Sequence, residues 1–174
     1  DENLKKIANE IIYRALYSYM KHEGTNMFET YQDRPHAYGH NWSPRFEPAA
    51  KLIHGHAVSI GMAFGATLSH IIGWCTLEER DRIIALLRKL ELSVFHPIIE
   101  DTKLMISGQD NMRKKRGMGG FWAPLPRGIG DVDFLKEVEE DLLINTINTH
   151  KALCSTFENH GHGKEMYLKE LGLA

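Results

Sequence analysis

The order of apolar and polar positions predicts a chain made mainly of helices. Apolar residues recur at three- and four-residue steps through residues 3–21, which is the spacing of an amphipathic helix. Residues 51–74 are apolar on nearly every side, as expected of a helix that is buried on most of its surface. Thr76 and Glu79 have the spacing of a capping box, so another helix is expected to begin there. We therefore predict a mainly α fold.

Two glycines lie inside the predicted buried helix, one turn apart. Gly61 and Gly65 are each expected to cost about 1 kcal/mol relative to alanine in a helix interior. We expect both to admit a neighbouring backbone or a ligand. Upstream of this helix, two prolines predict that residues 34–45 are largely irregular.

A segment of different character follows the helical runs. Residues 113–130 are basic, then rich in glycine, then aromatic and interrupted by prolines. We interpret them as a short extended, hairpin-like segment, with residues 121–125 as its strand. A short helix is expected before it, at residues 102–106, and helices are expected to resume near Asp131 and near Gly163.

Composition favours one globular domain in a reducing compartment. The 174 residues are enough to bury a sizeable core, and we assign 1–174 to a single domain. A formal charge of −2 gives no general reason to bind nucleic acid or membrane, and no apolar run is long enough for a membrane span. Cys75 and Cys154 are too few for a disulfide framework, so we expect a cytoplasmic protein. The chain begins without methionine, and we expect it to be a fragment.

Two histidines are candidate metal ligands. His40 follows Gly39 in a proline-broken loop, and His54 begins the buried helix, so a loop and a helix end would each supply one ligand. Spacing alone indicates a metal site only weakly, since two structural histidines are the more common arrangement. His56 lies two helical positions after His54, about 200° around the helix, and is not expected to bind the same ion.

A basic run, Arg113 to Arg116, is the second candidate feature. A solvated charge cluster is the ordinary explanation of such a run. A fixed ammonium group in a cleft is also a common partner for phosphate, which makes Lys114 and Lys115 candidate phosphate ligands. The run is too short and its surroundings are too neutral for nucleic-acid binding.

The segments YGHNWSP and LIHGHAVSIGM resemble the metal-binding core of the sugar phosphate cyclases. In dehydroquinate synthase, the best-known member, a GH pair is followed by a loop and then by HGE and AVAIGM. The basic run and Ile129–Gly130 match the DKK…G…IG pattern of that enzyme in the same order. The resemblance extends over roughly the first three quarters of the chain, and it implies the helical C-terminal domain of the dehydroquinate synthase-like fold.

The resemblance implies roles for individual residues. His40 and His54 fall on the two histidines that bind zinc or another divalent ion such as Co²⁺. Lys115, with Lys114 beside it, falls on the lysine that holds the substrate's phosphate. The family's third metal ligand is a glutamate, which we expect upstream of residue 1, together with the NAD-binding N-terminal domain. The implied partners are a sugar phosphate substrate, NAD+, that N-terminal domain and a second copy in a homodimer, and the chain alone is expected to be inactive.

Several positions depart from dehydroquinate synthase. Pro44 replaces a proton-transfer histidine, and His56 replaces the glutamate of HGE, a position that implies a catalytic role. Asp33 stands at a substrate-binding arginine and Ala37 at an asparagine, and an acidic Asp33 would repel that enzyme's carboxylated substrate. The pattern resembles instead the branch that cyclises sedoheptulose 7-phosphate. Gly61 favours the desmethyl-4-deoxygadusol synthases over the 2-epi-5-epi-valiolone synthases, which tend to have aspartate there.

Two other classes stay open at this stage. The iron-containing alcohol dehydrogenases share the two-domain architecture and histidine ligands, but they would lack the phosphate-binding lysine. A non-catalytic helical binding domain is the other alternative, and it would be favoured if the 174 residues were the complete gene product.

Overall fold

A computed structural model describes residues 2–28, 30–31, 34–116 and 120–157 of the chain. In that part the chain forms six α-helices and one antiparallel pair of strands, and two short 3-10 turns lie at Pro35–Ala37 and Pro97–Glu100. The elements in chain order are α1 (Glu2–Glu23), α2 (Ser43–Ala50), α3 (His54–Ile71), α4 (Leu77–Lys89), α5 (Thr102–Arg116), β1 (Ala123–Pro126), β2 (Val132–Leu135) and α6 (Glu140–Cys154). The predicted mainly helical class is confirmed.

Helix α3 is the centre of the core. It packs against α2, α4, α6 and strand β1, and its side chains Phe64 and Leu68 are buried. The indole of Trp42, which precedes α2, meets the Phe64 ring edge-on with centroids 5.0 Å apart. The same indole lies 5.1 Å from the ring of Phe121, before β1. The predicted buried helix is therefore confirmed, and this aromatic cluster ties it to the loop before α2 and to the hairpin.

Helix α1 has the predicted extent but lies apart from this core. Residues 2–22 are all exposed, and only the last helical residue, Glu23, is buried. Oε1 of Glu23 lies 3.0 Å from Nδ1 of His36, in the first 3-10 turn. None of the helices in the described ranges is long and apolar enough to cross a membrane.

Helix α2 begins inside the segment that was expected to be irregular. Ser43 opens the helix and Pro44 stands in its first turn, where the missing N–H has no helical partner to lose. Lys51, in the left-handed conformation with φ 55°, ends it. The expectation of irregular backbone is therefore wrong for its last three residues, 43–45.

The hairpin lies further along the chain than expected. Helix α5 continues to Arg116, so the basic run is the last turn of a helix rather than extended chain. The predicted helix ended too early because buried Gln109 breaks the apolar pattern while facing the core. Strand β2 occupies the region near Asp131 where a helix was expected, and α6 begins only at Glu140. The helix expected near Gly163 lies outside the described residues.

The hairpin turn explains why that segment is not helical. Gly128 and Gly130 have φ of 84° and 88°, a region that glycine adopts without strain. The backbone N–H of Arg127 donates to the carbonyl of Asp131 across the turn, at 3.1 Å. The strands then pair from Pro126 opposite Val132 to Ala123 opposite Leu135.

Candidate metal centre

Two glycines let the loop that carries His40 lie directly on helix α3. Gly39 has φ of 88°, and a Cβ there would lie 2.7 Å from the carbonyl oxygen of Val58. A Cβ on Gly61 would lie 2.1 Å from the carbonyl oxygen of Gly39. The expectation that Gly61 admits a neighbouring backbone is confirmed, and that backbone belongs to the His40 loop. At Gly65 the neighbours are side chains of the hairpin and of the loop.

The residues on both sides of His40 are fixed to the core. The hydroxyl of Tyr38 donates to the carbonyl of Met62, at 2.5 Å, and burial raises the pKa of Tyr38 so that the hydroxyl keeps its proton. The side-chain amide of Asn41 donates to the carbonyl of Pro124, at 3.2 Å. His40 thus projects from a loop that is held on one side by α3 and on the other by the hairpin.

The rings of His40 and His54 meet at their Nε2 atoms, which are 3.3 Å apart. Nδ1 of His54 lies 2.9 Å from a carboxylate oxygen of Glu47, near the end of α2. Because an ionised carboxylate only accepts hydrogen bonds, Nδ1 of His54 carries the proton and Nε2 presents its lone pair towards His40. The side chain of His54 is 62% exposed, so the pair opens to the outside of the described structure.

This arrangement fits a divalent cation of the zinc type. Two nitrogen ligands in a tetrahedral zinc site are separated by about 3.3 Å, because each lies about 2.0–2.1 Å from the metal. A carboxylate that orients a metal-binding histidine through its other nitrogen is the usual supporting contact of such sites, and Glu47 makes it to His54. Burial lowers the pKa of His40, which favours the neutral, metal-binding form of its ring.

Within the described ranges the site has only two candidate ligands. No group of three or more His, Cys, Asp or Glu side chains is close enough there to hold a metal ion. A complete catalytic zinc site has three protein ligands and one open position. A catalytic zinc site that included His40 and His54 would need a third ligand from outside the described residues.

The remaining residues proposed from the sequence lie elsewhere or outside the description. Nδ1 of His56 accepts a hydrogen bond from the backbone N–H of Ser93, at 3.3 Å, and lies 3.1 Å from its hydroxyl. Lys114 is exposed on the last turn of α5. Asp33 and the side chain of Lys115 lie outside the described residues. The structure thus brings together His40 and His54, while His56 contacts the segment that precedes the second 3-10 turn.

The neighbouring Arg113 has a structural partner on each side. Its guanidinium pairs with Asp110, one turn earlier on α5, at 3.0 Å, and with Glu137, after β2. This pairing joins the end of α5 to the hairpin. Because its guanidinium is engaged in these two pairs, we assign Arg113 a structural role, in contrast to the phosphate-binding role considered for the two lysines that follow.

Sequence reasoning missed Glu47 and overlooked one other histidine. The signal for Glu47 was its place as the one acidic residue of SPRFEPAA, directly before the His54 helix. His150 is fully buried on α6, where its Nε2 donates to the carbonyl of Val94 and the hydroxyl of Thr67 bonds Nδ1, both at 2.8 Å. Burial lowers the pKa of His150 to about 4, so it is a neutral structural residue.

Comparison with known proteins identifies the family of this chain. The model of the 3-dehydroquinate synthase C-terminal family matches residues 2–112, more than half of the chain. The chain belongs to the 3-dehydroquinate synthase C-terminal family. The chain is also similar in sequence to several sugar phosphate cyclases. The resemblance found in the sequence motifs is therefore confirmed.

Two relatives illustrate the range of enzymes in this family. The demethyl-4-deoxygadusol synthase of Trichormus variabilis is 36% identical over 166 residues, covering 94% of this chain and 40% of the relative. A 2-epi-5-epi-valiolone synthase of Streptomyces albus is 34% identical over 135 residues, covering 76% of this chain and 32% of the relative. The chain therefore spans well under half of the length of these relatives.

A solved structure in the family has the same fold. The chain is similar to ValA, the 2-epi-5-epi-valiolone synthase of Streptomyces hygroscopicus subsp. jinggangensis, with a TM-score of 0.79 and 33% identity. The match covers 84% of this chain and 41% of ValA. ValA was solved with NAD+ and Zn²⁺ bound.

Proposed function

We propose that this protein is the metal-binding part of an NAD- and zinc-dependent sugar phosphate cyclase that converts sedoheptulose 7-phosphate to desmethyl-4-deoxygadusol. The observation that carries the proposal is the convergence of the two imidazoles, with Nε2 atoms 3.3 Å apart and Glu47 behind one of them. The bound zinc and NAD+ of ValA, a relative with the same fold, support the choice of metal and cofactor.

The metal would be held by His40 and His54, with a third ligand from the preceding part of the polypeptide. A zinc ion in such a site polarises a carbonyl and so acidifies the adjacent C–H of the substrate. The NAD+ would be bound mainly by the N-terminal domain, and it would accept hydride from the carbon that bears a secondary hydroxyl while that hydroxyl loses its proton. This chain's contribution is to hold two imidazoles in fixed directions, one on a clamped loop and one on a helix end.

The phosphate would be held at the end of α5. A cleft between the start of α2 and α5 is lined by Asn41, Pro44 and Asn111. Lys115 follows Asn111 by one helical turn, and residues four apart lie on the same face of a helix. In the elimination step the C–H proton is removed, a carbon–carbon double bond forms and the C–O bond to phosphate breaks. Phosphate leaves with the electron pair, and Lys115, with Lys114, offsets its charge.

Pro44 supports proton transfer by the substrate itself. The position corresponds by resemblance to a proton-transfer histidine in dehydroquinate synthase, and a proline ring has no titratable group. The leaving phosphate is then the nearest base for the C–H proton. After the elimination the hydride would return from NADH to the ketone carbon, which regenerates NAD+. Ring opening, aldol closure and the loss of one water would then give the product without a further cofactor. In a catalytic role, His56 would act on the substrate while its Nδ1 accepts a hydrogen bond from the backbone N–H of Ser93.

The contact between Gly61 and Gly39 supports the choice among products. The valiolone enzymes tend to have aspartate at the position of Gly61, and no side chain fits there while the His40 loop keeps its present position. Ala37, at the position of a substrate-contacting asparagine in dehydroquinate synthase, is buried and has no polar group to offer. Formation of 2-epi-5-epi-valiolone or 3-dehydroquinate remains the alternative outcome.

The test is product identification with the full-length polypeptide. The enzyme would be incubated with NAD+, zinc and either sedoheptulose 7-phosphate or the carboxylated substrate of dehydroquinate synthase, and the products identified by mass spectrometry and NMR. We expect desmethyl-4-deoxygadusol and inorganic phosphate from the first substrate only. Turnover of the carboxylated substrate alone would overturn the proposal.

Metal analysis of variants tests the site itself. His40→Ala and His54→Ala are expected to abolish stoichiometric zinc and turnover in the full-length polypeptide. His70→Gln, at the far end of the same helix α3, is the matched control and should retain both. Lys115→Ala should abolish turnover with zinc retained, and intact turnover in that variant would favour an alcohol dehydrogenase.

A further inference from the structure

The side chain of Arg45, in the first turn of α2, is held in one direction by helix α5. Its Nε donates to the hydroxyl oxygen of Ser107, at 2.9 Å. That hydroxyl donates its own proton to the carbonyl of Leu104, at 2.7 Å. The two hydrogen bonds fix the plane of the guanidinium and leave its two terminal nitrogens outside them. Those nitrogens offer the fork of N–H groups with which arginine binds a carboxylate or a phosphate.

The guanidinium lines a small cleft between α2 and α5. The cleft has a volume of about 150 Å³, and its walls are formed by Asn41, Pro44, Arg45, Gly108, Asn111 and Met112. None of these six residues is acidic. Within the described ranges Arg45 has no carboxylate partner, in contrast to Arg113, whose guanidinium pairs with two carboxylates. The cleft therefore has a fixed positive charge that an anionic ligand could neutralise.

A buried polar atom in the wall of the cleft indicates that its occupant is polar. Asn41 is 1% exposed, and its Nδ2 donates to the carbonyl of Pro124, which fixes the orientation of the amide. Its Oδ1 is buried and accepts no hydrogen bond from the described part of the chain. A buried acceptor without a donor destabilises the fold. A ligand that carries both an anionic group and a hydroxyl, such as a sugar phosphate, matches Arg45 and Asn41 together.

We propose that Arg45 is a substrate-binding residue whose guanidinium holds the phosphate group of the sugar phosphate through two parallel N–H···O bonds. The inference deepens the proposed function and rests on it, since that function places the phosphate in this cleft. Asn41 directly follows the candidate metal ligand His40, so the cleft begins at the metal-binding loop. Because a guanidinium keeps its proton, Arg45 binds and orients the leaving phosphate but does not act as an acid or a base.

The binding of inorganic phosphate tests Arg45 without any use of turnover. The dissociation constant would be measured by calorimetry on the full-length polypeptide loaded with NAD+ and zinc. We expect Arg45→Gln to weaken phosphate binding at least about tenfold, because hydrogen bonds between charged groups are lost. Arg45→Lys should give an intermediate value, since an ammonium keeps the charge but not the planar fork. Arg82→Gln, which removes the same charge from α4, is the matched control and should bind phosphate within threefold of the natural chain.

Substitutions of Ser107 test how Arg45 is positioned. Ser107→Ala removes the acceptor of the Arg45 Nε, so phosphate binding should weaken by about two- to tenfold. Ser107→Thr keeps a hydroxyl at the same place and should restore the affinity of the natural chain. A purely structural role of Ser107 would leave the phosphate dissociation constant unchanged in both variants.

Two results would overturn the proposal. One is phosphate binding by Arg45→Gln within threefold of the natural chain. The other is equal weakening by Arg45→Gln and Arg82→Gln, which would show a general effect of net charge. The KM for sedoheptulose 7-phosphate should rise at least about tenfold in Arg45→Gln, with zinc content unchanged. Absence of turnover, with phosphate binding that still depends on Arg45, would contradict the proposed function and leave this inference standing.

Discussion

The carbonyl oxygen of Gly39 lies 2.1 Å from the position that a Cβ on Gly61 would occupy. The two residues belong to different elements, one to the loop that presents His40 and one to the buried helix α3. Their contact sets the distance between loop and helix, and the same helix carries His54 at its start. The geometry of the candidate site therefore depends on the absence of a side chain in the core.

A side chain at residue 61 should displace the loop. We expect Gly61→Ala to lower the free energy of unfolding by about 1–3 kcal/mol, because the neighbouring atom is rigid backbone and overpacking outweighs the gain in helix propensity. Zinc content should fall as well, since His40 moves with the loop. Urea unfolding and metal analysis measure the two effects.

Gly55→Ala is the matched control for that substitution. Gly55 lies on the same helix, and no atom lies within 4 Å of a Cβ there. Its free energy of unfolding should be unchanged or up to about 1 kcal/mol higher. Equal stability of the Gly61→Ala and Gly55→Ala proteins would contradict the steric role assigned to Gly61.

Glu47 should tune zinc affinity without binding the ion. Glu47→Gln removes the carboxylate charge, which orients the His54 ring and makes it a more basic ligand. We therefore expect zinc affinity to fall by about 10- to 100-fold in the full-length polypeptide. Competition with a chromophoric chelator measures the change. Glu100→Gln, which removes a carboxylate paired with Lys151 at 2.5 Å, is the control and should leave zinc affinity unchanged.

His150 should make the fold sensitive to acid. Burial lowers its pKa to about 4 in the folded protein, against about 6.5 when the chain is unfolded. The unfolded chain therefore binds the proton first. The contribution to stability is fully present above pH 6.5, and it is lost as the pH falls towards 4, by about 2 kcal/mol at pH 5 and about 3 kcal/mol at pH 4.

The comparison that isolates this effect is between the natural chain and His150→Gln. Urea unfolding at pH 7.5, 5 and 4 gives the free energy of unfolding of each. The difference between the two proteins should shrink as the pH falls, because only one of them carries the buried imidazole. A difference that is constant across the three pH values would show that the pKa of His150 is the same in the folded and the unfolded protein.

The start of α4 is expected to depend on Thr76. Its hydroxyl accepts from the backbone N–H of Glu79, at 3.2 Å, and the Glu79 carboxylate accepts from the backbone N–H of Thr76, at 2.8 Å. Thr76→Ala should lower the free energy of unfolding by about 1 kcal/mol. Glu78→Gln, in the same turn but outside the capping box, should change it by no more than about 0.5 kcal/mol.

Local patterns in the sequence were sufficient for several of these features. The capping box predicted where α4 begins, and apolar spacing predicted α1 and α3 within a few residues. The steric role of Gly61 followed from the cost of glycine inside a helix. The helices and the capping box depend on residues that are close in sequence, so the pattern alone contains the information. For Gly61 the pattern indicated a close approach but did not identify Gly39 as the neighbour.

Features that depend on tertiary contacts were harder to predict. Gln109 is polar but buried, so α5 was expected to end ten residues too early. Glu47 reaches His54 only because the chain turns at Lys51, and residue spacing does not indicate such a turn. The exposure of α1 could not be predicted from the sequence either. An apolar stripe predicts that a helix is covered but does not identify what covers it.

The aromatic cluster around Trp42 has a practical consequence for engineering. Because loop, buried helix and hairpin share that cluster, the portion after α1 has a core of its own. Residues 24–157 should therefore be exchangeable between cyclases as a cassette, with α1 retained from the recipient. Product analysis of chimeras joined at that boundary would test whether this portion determines the product.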